Sequence, residues 1–245
     1  APFVDAAVSV DPTNHANTYI SYYTWGSALG LGLDLTLRDR TDGKITLDHF
    51  MRALWDRFGR PGTKVPGYVE TPYTLDDLKA VLREVAGDAA FAQEFFARYV
   101  EGHDVLDYAK LLARAGILVK SNAGRAFAGA LALQDEQSGV RIVADVPYGS
   151  PAYQAGLERD DVLLTLGGTK VTRAADVEKL VVARKPGEPL PVVYERHGVR
   201  TSSALRLVGD PRLEFVPIEE AGQTLTDAQR RFREAWLSSA ARNSF

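Results

Sequence analysis

In the first half of the chain, apolar residues recur at helical spacing. Leu47, Phe50, Met51, Leu54, Trp55 and Phe58 fall three or four residues apart behind Thr46, a good N-cap, and Gly59 closes the run. Thr74 precedes Leu75, Leu78, Val81, Leu82 and Val85, with Asp77 at the capping-box position and Gly87 as a stop. Asp88 caps a third run, Phe91, Phe95, Phe96, Tyr99 and Val100, which ends near Gly102. Leu106, Ala109, Leu112 and Ala113 make a further helix that stops at Gly116. Asp11-Pro12-Thr13-Asn14 and Asp42-Gly43 are turn signals, and residues 60–71, with their prolines and glycines, read as a loop.

One stretch reads two ways. Leu29, Leu31, Leu33, Leu35 and Leu37 alternate as a strand would, while Trp25, Leu29, Leu33 and Leu37 repeat every four residues, flanked by Ala28, Leu31 and Leu35. The segment runs to roughly 18 residues, a helix length rather than a strand length. It is predicted as a mostly buried helix, with Gly26, Gly30 and Gly32 admitting close neighbours. Residues 1–123 are therefore expected to form a helical domain with short connections.

After Ser121-Asn122-Ala123-Gly124 the period changes. Residues 126–133, 140–146, 161–166, 190–194 and 201–208 read as strands. Gly167-Gly168 and His197-Gly198 are hairpin turns. Ser150 heads a short helix that stops at Gly156, and residues 174–183 form a second. Residues 124–209 are expected to be a β-rich domain. In the remaining 210–245, Thr226 caps a final helix whose expected buried face is Phe232, Ala235 and Trp236, extending to Leu237. The fold class expected is α+β and multidomain.

The composition narrows the partners. Of 245 residues, 45% are hydrophobic and 25% charged, and the net charge is -3, which offers no basic surface for nucleic acid. No apolar run is long enough to span a bilayer. There are no cysteines, which excludes disulfides and thiolate chemistry. The start, Ala1-Pro2-Phe3-Val4-Asp5, reads as a cut or processed end rather than a signal peptide.

Few residues suggest chemistry. The four histidines, His15, His49, His103 and His197, are not spaced to share a helix face, so His-Glu-x-x-His zinc binding is not encoded here and no metal ligand is assigned. Ser27 and Ser150 lie in no nucleophile elbow, and no phosphate-cradling loop is present. The pairs Asp76/Asp77 and Glu219/Glu220 read as solvated charges. Tyr22 and Tyr23 open the leucine-rich helix, where aromatic packing is the ordinary role.

Two resemblances add to this. Gly139-Val140-Arg141-Ile142, Ser150-Pro151-Ala152-Tyr153-Gln154-Ala155-Gly156-Leu157, Asp160-Asp161-Val162-Leu163-Leu164, Gly167-Gly168 and Val171 resemble a PDZ domain of the bacterial type. The resemblance implies peptide binding by strand addition. Its carboxylate loop would be Phe127-Ala128-Gly129-Ala130, with a groove between residues 131–133 and the helix from Ala174. Ala130 is smaller than that family usually places there. A PDZ fold kept only as an architectural module is the alternative.

The helical half, through Asn17-Thr18-Tyr19-Ile20-Ser21-Tyr22-Tyr23-Thr24-Trp25-Gly26, Leu33-Asp34-Leu35-Thr36-Leu37-Arg38 and Asp107-Tyr108-Ala109-Lys110-Leu111-Leu112, resembles the later part of a glycyl aminopeptidase-type metallopeptidase. In that family a thermolysin-like catalytic domain is followed by a PDZ domain. The resemblance implies that Tyr23, in Tyr23-Thr24-Trp25-Gly26, stabilises an oxyanion, with Trp25 where the family has Lys. It also implies zinc and a general-base Glu supplied by an upstream half, and peptide substrates with Gly or Ala at the free N-terminus. This chain alone would then be inactive. The competing expectation is a non-enzymatic interaction protein whose PDZ groove binds extended or C-terminal peptides. The PDZ type suggests a bacterial, periplasmic setting, with the cytoplasm as the alternative.

Overall fold

A computed structural model describes residues 2–4, 20–59 and 71–238. The turn expected at Asp11-Pro12-Thr13-Asn14, the loop at 60–70 and His15 lie outside the described residues. Of the described residues, 2–4, 20–59, 71–119 and 215–238 form one compact unit and 120–214 a second.

The first unit is helical. The leucine run is helix α1, Tyr22–Thr41. A step of two residues turns an α-helix by roughly 200°, so the alternating leucines cover opposite sides. Leu29, Leu33, Leu35 and Leu37 are buried, and so are Asp34 and Arg38. Of the three glycines, Gly32 is the one packing requires: a Cβ there would lie 2.6 Å from Leu106 Cδ1. Asp42, in the left-handed region at φ 51°, ends the helix, and Gly43 continues the turn.

The capping signals place the next helices. These are α2, Leu47–Leu54, α3, Leu75–Ala86, and α4, Ala89–Phe95. Thr74 and Asp77 form a reciprocal capping box, with Thr74 N donating to Asp77 Oδ2 at 2.8 Å. The Asp88 carboxylate accepts from Phe91 N at 2.9 Å. Two runs expected as plain helix instead end in single π turns, Trp55–Gly59 and Phe96–Val100. Helix α5 is Tyr108–Ala113, shorter than expected at its start. Asp107 caps it, leaving Leu106 outside to pack on Gly32.

The final helix, α8, Asp227–Leu237, begins behind Thr226 as expected. It buries less than expected: Phe232 and Trp236 are half-buried, and Ala235 and Leu237 are exposed. Its hold on the unit is polar instead. Gln229 Nε2 donates to Ala113 O at 3.0 Å, and Arg233 donates to Ala115 O at 2.6 Å and Gly116 O at 2.9 Å. These carbonyls lie at and just beyond the end of α5, where Ala113 O also accepts from Gly116 N and Gly116 O from Ile218 N. Arg38 returns the favour, donating to Ala235 O at 2.8 Å while Asp34 holds its Nε. Asp34 also accepts from Leu47 N, at the start of α2. The two partially buried charges are thus paired and used as caps.

The second unit is built on an antiparallel sheet in the order β3-β4-β5-β7-β8, with a short β6 on β5. The strands are β3, Leu133–Asp135, β4, Val140–Ile142, β5, Val162–Leu166, β6, Thr169–Lys170, β7, Pro189–Arg196, and β8, Val199–Arg206. Both glycine-containing hairpins hold positive φ at two successive residues, Gly167-Gly168 and His197-Gly198, the turn that matches strand twist. Helices α6, Pro151–Gln154, and α7, Ala174–Val182, complete the unit. Its core includes Ile142, Leu157, Leu163, Leu166, Val171 and Leu190, all essentially inaccessible. Asp161 is fully buried beneath it and is held in a two-point ion pair by Arg196, at 2.7 and 2.8 Å.

Two strand expectations need correction. Residues 126–133 are not one strand: β2, Ala126–Phe127, pairs with β9, Val208–Gly209, and the chain then leaves the ladder until β3. Gly129, at φ 121°, turns it, and a Cβ there would stand 3.0 Å from Ser150. Residues 140–146 pair only as far as Ile142. Strand β1, Ile117–Ser121, pairs with β10, Leu213–Pro217, in a separate two-stranded sheet.

Candidate functional site

The groove forms where β3 meets α7. Strand β3 is the edge of its sheet. Val143 N donates to Ala132 O, and Ile142 exchanges its bonds with Asp160 and Asp161 on the far side. Antiparallel alternation therefore turns the N–H and C=O of Leu133 outward, away from β4. An outward-facing edge is a template for another strand. Opposite it stands α7, whose first amide, Ala174 N, donates to Asp135 Oδ1 at 2.7 Å. Asp135 thus caps α7 from across the groove and fixes the spacing at that end.

The cavity between them has a volume of about 470 Å3. Leu131, Leu133, Val177 and Val181 give it apolar walls, and alanines at 126, 128, 130, 174 and 175 keep those walls low. All four predicted loop residues, Phe127, Ala128, Gly129 and Ala130, are brought together on its lining. Ala128 O accepts from Ala152 N, which seats the loop on the start of α6. Leu131 N turns back to Gly129 O. Among the described residues, the N–H groups of Gly129 and Ala130 donate to no main-chain carbonyl.

Sequence reasoning missed the charged end of this groove. Arg125 and Arg212 also line it, with Glu178 of α7. Arg125 Nη2 donates to Glu178 Oε1 at 2.8 Å. Arg212 holds Asp210, which is 1% exposed, through Nε and Nη2, and its guanidinium lies 5.3 Å from the centre of the Phe127 ring. The Arg212 side-chain bond holds the Asp210 carboxyl below its ordinary range, and Asp210 holds the guanidinium more firmly protonated. Nothing in the run Asp210-Pro211-Arg212 says which cavity the arginine lines.

Tyr23 stands in the first turn of α1 and is 72% exposed. Its ring lies 4.3 Å from that of Tyr22, and its carbonyl accepts from Ser27 Oγ. Trp25 instead packs edge-on against Phe3. Farther along, Tyr108 ties α5 to α1 by donating to Ala28 O at 2.8 Å, and burial raises its pKa.

The described histidines do not converge. His49 has a local task that the sequence reading did not assign: its Nδ1 accepts from Thr46 N at 3.2 Å, the capping-box role usually given to Glu or Gln. His197 sits in its hairpin turn. Among the described residues no group of three or more His, Asp or Glu is placed to hold a metal ion. The described residues therefore do not fit a zinc site.

The sheet with its two helices, the short helix behind Ser150 and the edge groove decide the fold of this unit. Residues 117–207 match the PDZ domain family. Over 106 residues, 42% of this chain, the sequence is 34% identical to a "Putative zinc metalloprotease" of Brucella suis biovar 1. Over 55 residues, 22% of this chain, it is 44% identical to a "Putative serine protease" of Synechocystis. The chain covers 28% and 13% of those two proteins, so it matches well under a third of either. A crystal structure of an aminopeptidase N family protein from Idiomarina loihiensis superposes over 92% of this chain and 38% of its own, with TM-score 0.69 and 20% identity. That likeness is one of fold, and it takes in helical residues as well as the PDZ domain. In the chain itself, no described helix is long and apolar enough to cross a membrane.

Proposed function

We propose that the PDZ groove of this chain holds an extended peptide as an added strand beside β3. The observation that carries this is the open edge at Leu133, facing α7 across a cavity of about 470 Å3. The peptide main chain would bond the outward groups of Leu133, and alternate side chains would enter the apolar space between Leu131 and Val181. Phe127, Ala128, Gly129 and Ala130 close one end. Binding is to be measured by fluorescence anisotropy with a labelled hexapeptide and with the same peptide N-methylated at alternate amides. The methylated peptide is expected to lose binding, because its N–H groups can no longer join the ladder. Equal binding of both would rule out strand addition. An Ala130→Trp variant, which fills the groove from an exposed position, is expected to abolish binding without changing the melting temperature.

A second reading is favoured by the breadth of the fold likeness, which reaches beyond the PDZ domain. In it the chain is the C-terminal portion of a zinc aminopeptidase that removes small N-terminal residues, Gly or Ala, from peptides. The zinc ligands and the general-base Glu would come from an upstream half. Tyr23 would supply an exposed phenol to donate a hydrogen bond to the oxyanion of a tetrahedral intermediate. Metal content and hydrolysis of a glycyl chromogenic amide, compared between this chain and the same chain extended upstream, test it. Zinc and turnover are expected only in the extended protein, and Tyr23→Phe there should lower kcat while zinc stays bound. Stoichiometric zinc and turnover in the short chain would overturn the assignment. Absence of both from the extended protein would leave an interaction protein with a peptide groove.

A further inference from the structure

Strand β8, Val199–Arg206, is the other edge of the sheet, and at 8 residues it is far longer than β3. Its register fixes which of its main-chain groups face outward. The pairs Pro189–Arg206, Pro191–Ala204, Val193–Ser202 and Glu195–Arg200 alternate with pairs such as Val192–Ser203. Pro189 and Pro191 have no N–H to give to β8, and Pro191 O accepts from Gly167 N, at the end of β5. The Pro191–Ala204 pair is therefore a non-hydrogen-bonded one, and by alternation so are the other three. Arg200, Ser202, Ala204 and Arg206 accordingly turn their N–H and C=O groups away from β7. Among the described residues no further strand pairs with β8, and no turn or loop bond uses those groups. All four residues are exposed.

The intervening residues hold the strand in place. Leu205 is buried in the core, and Ser203 Oγ donates to Ala155 O at 2.8 Å. The open groups are therefore presented on a fixed template, the arrangement that invites another strand. The four side chains share one face, beside Pro189, Pro191, Val193 and Glu195 of β7. That face carries a guanidinium at each end, roughly 20 Å apart along an extended strand. Arg200 lies 4.0 Å from Glu195 and is itself well exposed, and Arg206 has no ion-pair partner among the described residues. Charge then decides the occupant. Two copies of β8 paired antiparallel over all four positions would set Arg200 against Arg206 at both ends, and like charges directly opposite are unfavourable. An acidic strand meets the same two residues as anchors.

We propose that β8 is a second strand-addition edge, which takes an extended acidic segment of a partner protein. Carboxylates of that segment stand opposite Arg200 and Arg206, with small or polar residues between them over Ser202 and Ala204. The edge lies on the opposite side of the sheet from β3 and does not depend on the groove there.

The test uses a labelled peptide of Thr and Ser, acetylated and amidated so that it has no charged end, with two Glu on one face of the strand at the spacing of Arg200 and Arg206. A second peptide has Gln in place of both Glu. In fluorescence anisotropy the native chain is expected to bind the Glu peptide about 5-fold or more tightly than the Gln peptide at low salt, with the ratio shrinking as salt rises. The double variant Arg200→Gln/Arg206→Gln should bring the ratio to about one by weakening the Glu peptide alone. Ser202→Pro removes one outward N–H without breaking a bond to β7, and it should weaken both peptides. If Ser202→Pro lowers the melting temperature, the Glu peptide N-methylated at alternate amides gives the same readout on the native chain. A Glu preference that survives the double variant would overturn the proposal, because the arginines would not be its readers. Undiminished binding by both Ser202→Pro and the methylated peptide would overturn strand addition at β8. Sedimentation velocity is expected to show a monomer, and a dimer that Ser202→Pro dissociates would give the edge to a second copy and overturn the acidic partner. No saturable binding of either peptide would also overturn the proposal, while the groove beside β3 would stand or fall on its own peptides.

Discussion

The two units stabilise themselves by different means. The PDZ unit closes an apolar core over itself, with Ile142, Leu163, Leu166 and Leu190 almost wholly removed from water. Its two buried carboxylates, Asp161 and Asp210, are each met by a guanidinium, of Arg196 and of Arg212. Both units leave some large apolar side chains in water, Tyr23, Met51 and Trp55 in the helical unit and Tyr148 and Val199 in the PDZ unit. The helical unit relies more on long polar ties, in which Arg233, Gln229 and Arg38 take up carbonyls at helix ends far away in the sequence. A sheet buries one face continuously, whereas short helices expose carbonyls at each end that something must satisfy.

The sharpest way to break this comparison is a core truncation. Ile142→Ala should cost about 3 kcal/mol, the usual scale for emptying a packed site. All three tryptophans, Trp25, Trp55 and Trp236, lie in the helical unit, so their fluorescence reports that unit while circular dichroism reports both. The expected result in urea is a lowered dichroism transition with an unmoved fluorescence transition. Two transitions moving together would mean that the units unfold as one, and the contrast would fail.

Arg233→Ala should do the reverse. It removes the donors to Ala115 O and Gly116 O and is expected to cost about 2 kcal/mol, read in the fluorescence transition. A change confined to the dichroism transition would contradict the role given to α8.

A smaller effect sharpens the comparison through pH. The Asp210 carboxyl is held below its ordinary range, chiefly by Arg212. Its contribution is therefore present above the unfolded value of about 4 and is lost as pH falls through the lower folded value. Acid unfolding of the PDZ unit followed by circular dichroism should show this loss below about pH 4. Asp210→Asn should be less stable at pH 7 and show a flatter acid limb. An unchanged limb would mean that Asp210 is not among the groups that set it.

The smallest effect is expected at Tyr23. Tyr23→Phe should change stability by less than about 0.5 kcal/mol, since the side chain is largely in water. A large loss in thermal unfolding would show that the phenol is structural and would remove the main reason to assign it to chemistry.

Much of the fold was legible because helix starts and tight turns are local. Thr74, Asp88 and Thr226 cap the helices they were expected to cap, and the Gly167-Gly168 and His197-Gly198 hairpins form where their residues tolerate positive φ. The leucine run was ambiguous in pattern but not in length. The π turns at Trp55–Gly59 and Phe96–Val100 carried no signal that separates them from ordinary helix. The break after Phe127 was missed because residues 126–133 are apolar enough for a strand, and only the approach of Ser150 shows why Gly129 turns out of it.

Residues 127–130 and the groove walls, residues 131–133 and the helix from Ala174, were named in advance through the resemblance to PDZ domains. The polar ties that fix the groove were not. Asp135 caps a helix that begins 39 residues later, Arg125 meets Glu178 53 residues on, and Arg212 reaches Phe127 only because β9 returns beside β2. What the sequence by itself determined were the elements, since capping and turn geometry act within about four residues and depend on residue type alone. What only the tertiary structure decided were the open edge at Leu133, the depth of the cavity against α7 and the guanidinium fixed at its end. Each of these needs partners from distant segments, and no local preference encodes which segments will meet.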